Sequence, residues 1–157
     1  MKTVSVDSLF LFYTMSDLTP ISILIAEDDA DDRFLLQSVF EEMGFTERVE
    51  FVENGVELTD FLEAIRKEKS SVYPKFILLD LNMPKKDGRE ALKEIKQHPE
   101  YRKIPVIVFT TTKNEHEINR CYELGANTYI VKPVSFDRLI GVMQELKSYW
   151  LNTASIP

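Results

Sequence analysis

The sequence predicts an α/β fold, a doubly wound five-stranded parallel sheet with helices on both faces. Two observations carry this. From Ile21 onward, five short apolar runs alternate strictly with five amphipathic segments, and such alternation argues for a parallel sheet covered on both sides. The run that leads into "LLDLNMPKKDG" (78–88) is also dense enough to read as a strand buried on both faces.

In order, "ISILIA" (21–26) is the first strand, and apolar residues at 35, 36, 39, 40 and 43 place a helix over 31–43, stopped by Gly44. "RVEFV" (48–52) is a weaker strand near an edge, followed by a helix on Leu58, Phe61, Leu62 and Ile65 that runs on into "RKEKSS". "KFILLDL" (75–81) is the third strand, and 88–97 the third helix, on Ala91, Leu92 and Ile95. "PVIVFT" (105–110) is the fourth strand; a helix over 114–124 ends at Gly125. "TYIV" (128–131) and a helix over 135–150 complete the set. Residues 1–20 read as an N-terminal extension, 21–150 as one domain and 151–157 as a C-terminal tail. The extension carries "SLFLFYT", which reads as upstream coding, a short strand or a docking arm.

Composition narrows the classes. With 157 residues, 44% hydrophobic and 29% charged, the chain suits a single globular domain. A net charge of −7 with no basic block argues against nucleic acid. No run approaches the ~20 apolar residues of a membrane span. The single cysteine, Cys121, fits a reducing, cytoplasmic setting and reads as a buried helix residue.

Right-handed crossovers bring every strand's carboxyl end to one edge, where such sheets bind ligands. That edge collects Glu27, Asp28 and Asp29 after strand one, Asp80 after strand three, Thr110, Thr111 and Thr112 after strand four, and Lys132 with Pro133 after strand five. Clustered carboxylates need a cation to stay ionised. Hard oxygen ligands with room for water suit Mg²⁺, and Mg²⁺, an ammonium and a hydroxyl around one carboxylate can hold three phosphoryl oxygens. Asp80 is then the nucleophile. Plainer roles compete for several neighbours. Asp29 also suits a helix cap, Asp31 and Asp32 read as solvated first-turn residues, Thr112 as a cap, and His98 and His116 as solvated surface groups.

The motifs "AEDD", "LLDLNMPKKDG", "VFTTT" and "YIVKP", in this order and spacing, closely resemble a bacterial response regulator receiver domain over residues 21 to about 150. The resemblance implies a flavodoxin-like sheet of order 2-1-3-4-5. It assigns Asp80 as phosphoacceptor; Glu27, Asp28, Asp80 and the carbonyl of Asn82 as Mg²⁺ ligands; Thr110, Thr111 and Lys132 as phosphoryl-binding groups; Tyr129 as the aromatic switch; and a cis bond before Pro133. It further implies a single-domain regulator that takes its phosphoryl group from a sensor histidine kinase, similar to those paired with phytochrome-like kinases. Such a protein is a phosphoacceptor, acting on itself, rather than an enzyme with a separate substrate.

Three other readings fit less well. A haloacid-dehalogenase-type phosphatase carries Asp-x-Asp on its first core strand, whereas Asn82 stands two beyond Asp80, after strand three. A flavodoxin-like cofactor binder wants a phosphate loop where this chain has acids, and a degenerate receiver would lack the intact Asp, Thr and Lys. Helix five carries apolar residues over roughly 180° of its wheel, more than the ~100° one core face needs. That excess, on Val142, Tyr149 or Ile140, leaves apolar side chains for a partner, for residues 1–20 or for the surface; the resemblance implies a homodimer through the fourth helix, fifth strand and fifth helix.

Overall fold

The computed structural model describes residues 20–68 and 72–157. The extension, with "SLFLFYT", and part of the polar stretch after helix two therefore lie outside the described residues. β1 (Ile21–Ala26), β2 (Arg48–Val52), β3 (Phe76–Leu79), β4 (Val106–Thr110) and β5 (Thr128–Val131) form one parallel sheet of order β2-β1-β3-β4-β5. The weak "RVEFV" strand is indeed an edge. Five helices connect and follow the strands: α1 (Ala30–Glu42), α2 (Gly55–Lys67), α3 (Gly88–Gln97), α4 (Glu115–Glu123) and α5 (Phe136–Leu146).

Successive strand residues point to opposite faces, so the apolar runs feed two cores. Leu24, Ala26, Ile77, Leu79, Val106 and Val108 face α2, α3 and Cys121 of α4. Ile23, Ile25, Phe76, Leu78, Ile107 and Phe109 face α1 and α5. Each large side chain buried this way contributes about 1.5–3 kcal/mol. The central strands must therefore stay in register, and with them the residues at their ends. No helix among the described residues is long and apolar enough to cross a membrane.

Helix boundaries follow local chemistry. Asp29, Asn54, Asp87, Asn114 and Ser135 each accept a main-chain N–H in the first turn of the following helix. Gly44 and Gly125, with φ of +63° and +106°, turn the chain out of α1 and α4. Thr112 is not a cap; that position belongs to Asn114. His98 is half-buried rather than solvated. Its ring stacks on Tyr101 at 3.6 Å, and its Nδ1 accepts from the Glu100 and Tyr101 amides at the start of a short 3-10 turn, Tyr101–Lys103. Beyond Leu146 the last helix widens into a π turn, Lys147–Thr153, so helical structure continues past 150 into the residues read as a tail. On α5, Leu139, Met143 and Leu146 are buried, and Ile140 and Val142 pack half-buried on the same core. Tyr149 remains 54% exposed.

The segment between β3 and α3 is stitched down closely. The Gly88 amide donates to the Leu81 carbonyl at 2.8 Å, and the Lys86 carbonyl accepts from the Gly55 amide at 3.0 Å. Lys86 Nζ reaches Thr59 at 3.1 Å and Glu94 at 2.6 Å. A Cβ on Gly88 would stand 2.2 Å from the Asp80 carbonyl oxygen, whereas one on Gly141 would meet nothing within 4 Å. In urea denaturation, Gly88→Ala is expected to lose about 1–3 kcal/mol through forced backbone shifts. Gly141→Ala is expected to gain about 0.4–1 kcal/mol by restricting the unfolded chain. Equal effects would mean that the loop is not held against Asp80.

Candidate functional site

Glu27, Asp80 and Lys132 are each the first residue beyond a strand. Their amides still continue the ladder, to Val52, Ala26 and Thr110 carbonyls at 2.9, 3.0 and 2.8 Å. Sheet register therefore aims three charged side chains at one point. Lys132 Nζ lies 2.5 Å from Glu27 Oε1 and 3.7 Å from Asp80 Oδ2. Glu27 is only 2% exposed and Asp80 8%, so these are charges largely removed from water.

Burial pushes the Glu27 carboxyl from its ordinary 4.5 up to about 8; the Lys132 hydrogen bond opposes this and the Asp80 charge adds to it. Burial also works against the Lys132 ammonium, but the Glu27 hydrogen bond and the charges of Glu27 and Asp80 hold its pKa above the usual lysine range. Lys132 stays protonated, because losing its proton would leave two buried acids facing each other.

Asp32 joins the site, contrary to the solvated role expected of it. Its Oδ2 takes a hydrogen bond from Lys132 Nζ at 3.0 Å. Asp29 is the α1 cap, accepting from the Asp32 amide at 2.9 Å. Arg33, which the motif reading did not single out, folds back over the acidic loop. Its Nη1 donates to the carbonyls of Glu27 at 2.9 Å and Asp28 at 2.8 Å, and its Nη2 pairs with Glu53 at 3.0 Å. It thereby fixes the main chain that carries both acids.

Thr110 is fully buried, and its Oγ1 has no hydrogen-bond partner among the described residues. A buried hydroxyl left unpaired is costly, and an acceptor at the rim would relieve it. Thr111 is exposed. The Tyr129 hydroxyl donates to the Thr112 carbonyl at 2.8 Å, with its ring half-buried on the first core. The expected cis bond before Pro133 is absent, since no peptide bond among the described residues is cis. Lys132 turns inward without it, because its amide is fixed to Thr110 and its ammonium is drawn by Glu27 and Asp80.

Carboxylate oxygens of Glu27, Asp28 and Asp80 lie within 4.8 Å of one another. All are hard donors. Asp28 is exposed and open to hydrated ligands, and burial, with the nearby Asp80 charge adding to it, disfavours the ionised form of Glu27. The set fits a small divalent cation with several waters. In chelator, Asp80→Asn is expected to be the more stable protein by about 1 kcal/mol, since it removes one of the crowded buried charges. Added Mg²⁺ or Mn²⁺ should shrink that gain. Asp28→Ala should weaken divalent-ion binding about tenfold or more, while Asp31→Ala leaves it unchanged. Calorimetric titration and urea curves check both, and a destabilised Asp80→Asn would contradict the crowding.

Comparison with known proteins bears on the same residues. Residues 23–144 match the family described as response regulator receiver domain. The chain is 39% identical over 138 residues to response regulator Rcp1 of Synechocystis sp., covering 88% of this chain and 94% of that protein. It is similar to the crystal structure of the Mn²⁺-bound form of Rcp1, with TM-score 0.76, 39% identity and coverage of 88% of this chain and 99% of that one. It is also similar to the phosphorylated cyanobacterial phytochrome response regulator RcpA, with TM-score 0.78, 36% identity and the same coverages. A five-stranded parallel sheet of matching order, an acidic cluster facing one lysine and a family match over residues 23–144 agree: this protein belongs to the response regulator receiver family of two-component signalling.

Proposed function

We propose that Asp80 accepts a phosphoryl group from the phosphohistidine of a sensor histidine kinase, of phytochrome type, with Mg²⁺ bound by Glu27, Asp28, Asp80 and the Asn82 carbonyl. The observation that carries this is the position of Lys132 Nζ, 3.7 Å from Asp80 Oδ2 and 2.5 Å from Glu27 Oε1 at a buried rim. The names of the similar regulators support the kinase class, and the all-oxygen donor set supports Mg²⁺.

In the transfer, an Asp80 carboxylate oxygen forms a bond to phosphorus as the donor's phosphorus–nitrogen bond breaks. The electron pair leaves with the imidazole nitrogen. Lys132 neutralises one phosphoryl oxygen, and the Thr110 hydroxyl, buried and unpaired, donates to another. Thr111, the exposed residue just after Thr110, supplies a further phosphoryl contact in this reading. Glu27, Asp28, Asp80 and the Asn82 carbonyl would hold Mg²⁺ beside these groups, and its charge would offset that of the phosphoryl group against the carboxylates. Once Thr110 and its loop close on the phosphoryl group, the Tyr129 tether to Thr112 is the contact that changes, which suits a switch. Water oxygen then bonds to phosphorus as the bond from phosphorus to the Asp80 oxygen breaks, inorganic phosphate leaves and the Asp80 carboxylate is restored, so the protein resets itself without a separate substrate. A cytoplasmic setting follows from a kinase donor.

The exposed Tyr149 and the half-buried β5 edge favour a homodimer through α4, β5 and α5, tightened by phosphorylation.

Incubation with a small phosphodonor and Mg²⁺ is expected to add the mass of one phosphoryl group, lost on chelation and in Asp80→Asn. Labelling that survives in that variant would move the acceptor elsewhere. Sedimentation at micromolar concentration should show a dimer that Val142→Asp disrupts. A monomer both alone and with a phosphoryl analogue would reject the dimer.

A further inference from the structure

Among the described residues no strand lies beyond β5, and an edge strand leaves main-chain groups without ladder partners. One such group is met by a side chain. The Tyr129 amide donates to the Tyr122 hydroxyl oxygen at 3.0 Å. Tyr122 stands in the last turn of α4 and is 47% exposed, so its ring does little for the core. What it brings to β5 is an acceptor. At the other end of the same residue, the Tyr129 hydroxyl donates to the Thr112 carbonyl at 2.8 Å. Tyr129 is therefore bonded to both ends of one continuous stretch, the segment that leads into α4 and the turn that ends it.

α4 depends on such ties more than its neighbours do. Cys121 is its one buried residue, whereas α3 buries Gly88, Ala91, Leu92 and Ile95. Near its start, Glu117 pairs with Arg89. Near its end, the tie is Tyr122. Two attachments between the same two bodies reinforce each other, because once one is made the second closes at little further cost in order. A hold on the Tyr129 amide thus also favours the hold on its hydroxyl.

We propose that Tyr122 is a positioning residue for Tyr129: by fastening the Tyr129 amide to α4, it keeps the Tyr129 hydroxyl on the Thr112 carbonyl and so opposes the switch. This rests on the reading of that tether as the contact that changes on phosphorylation. Tyr122→Phe keeps the ring and removes the acceptor. In the full chain without divalent ion, nuclear magnetic resonance should show faster hydrogen exchange at the Tyr129 amide. The Lys132 amide, bonded to the Thr110 carbonyl, should keep its rate. With Mg²⁺ present, the Kd for beryllofluoride, a phosphoryl analogue, should fall about two- to fivefold, the worth of one modest hydrogen bond. p-Methoxyphenylalanine in place of Tyr122 retains the acceptor oxygen without the O–H, and should restore both values. Unchanged exchange at Tyr129 would overturn the proposal. So would faster exchange with an unchanged or weaker beryllofluoride affinity, or a methoxy ring that restores neither value. Beryllofluoride that binds neither the unaltered protein nor the variant would count against the Asp80 reading instead, and exchange at Tyr129 would still decide whether Tyr122 holds that amide.

Discussion

Two buried carboxylates and one ammonium meet at the rim of the sheet, and the surrounding architecture is arranged to keep them there. Glu27 and Asp80 leave water only because Lys132 stands within 2.5 Å of one and 3.7 Å of the other. Each of the three is placed by a ladder hydrogen bond one residue past its strand, so a register slip in β1, β3 or β5 would break the triad. The two apolar cores that hold the strands are thus also what hold the charges. Like charges in low dielectric are expensive, and the expense is retained where charge must later be accepted. Receiver chemistry asks for this frustration, since a site already content with its own charges would have no use for a cation or a phosphoryl group.

The loops around the triad are correspondingly stiff. Arg33 grips the carbonyls of Glu27 and Asp28, Asp87 caps α3, and Gly88 leaves no space above the Asp80 carbonyl. Arg89 and Glu117 form an ion pair that ties the start of α3 to the start of α4. The threonine segment after β4 is tied to β5 by the Tyr129 hydroxyl, which donates to the Thr112 carbonyl, while Thr110, at the end of β4, is buried with no side-chain hydrogen-bond partner among the described residues. Stiff acidic loops beside an unpaired strand-end hydroxyl suit the phosphorylation-driven switch proposed above.

Much of this could be read from the chain before any coordinates. Strand positions and strand ends were legible because apolar runs of 4–6 residues followed directly by Glu27, Asp80, Thr110 or Lys132 have few other folded uses. The strand order came from resemblance, not from periodicity. Asp32 was not legible: its role rests on a lysine 100 residues away, and in its own segment it looks like any acid in a first helical turn. Arg33 was hidden for a related reason, because it binds main-chain carbonyls, which leave no mark in the sequence. His98 looked solvated among polar neighbours, yet its ring lies on Tyr101, a contact made only when the chain turns after α3. The π turn escaped because the apolar residues from Leu146 to Leu151 continue a helical wheel that the backbone itself widens.

The claim on which the rest depends is that Lys132 stabilises the buried acids until a divalent cation shares that task. A double-mutant cycle on Glu27→Gln and Lys132→Gln, read by urea unfolding in chelator and again at saturating Mg²⁺, tests it most directly. The account predicts a favourable coupling of about 1 kcal/mol or more in chelator and a smaller one with the ion present. A coupling near zero in chelator, or one indifferent to Mg²⁺, would contradict it.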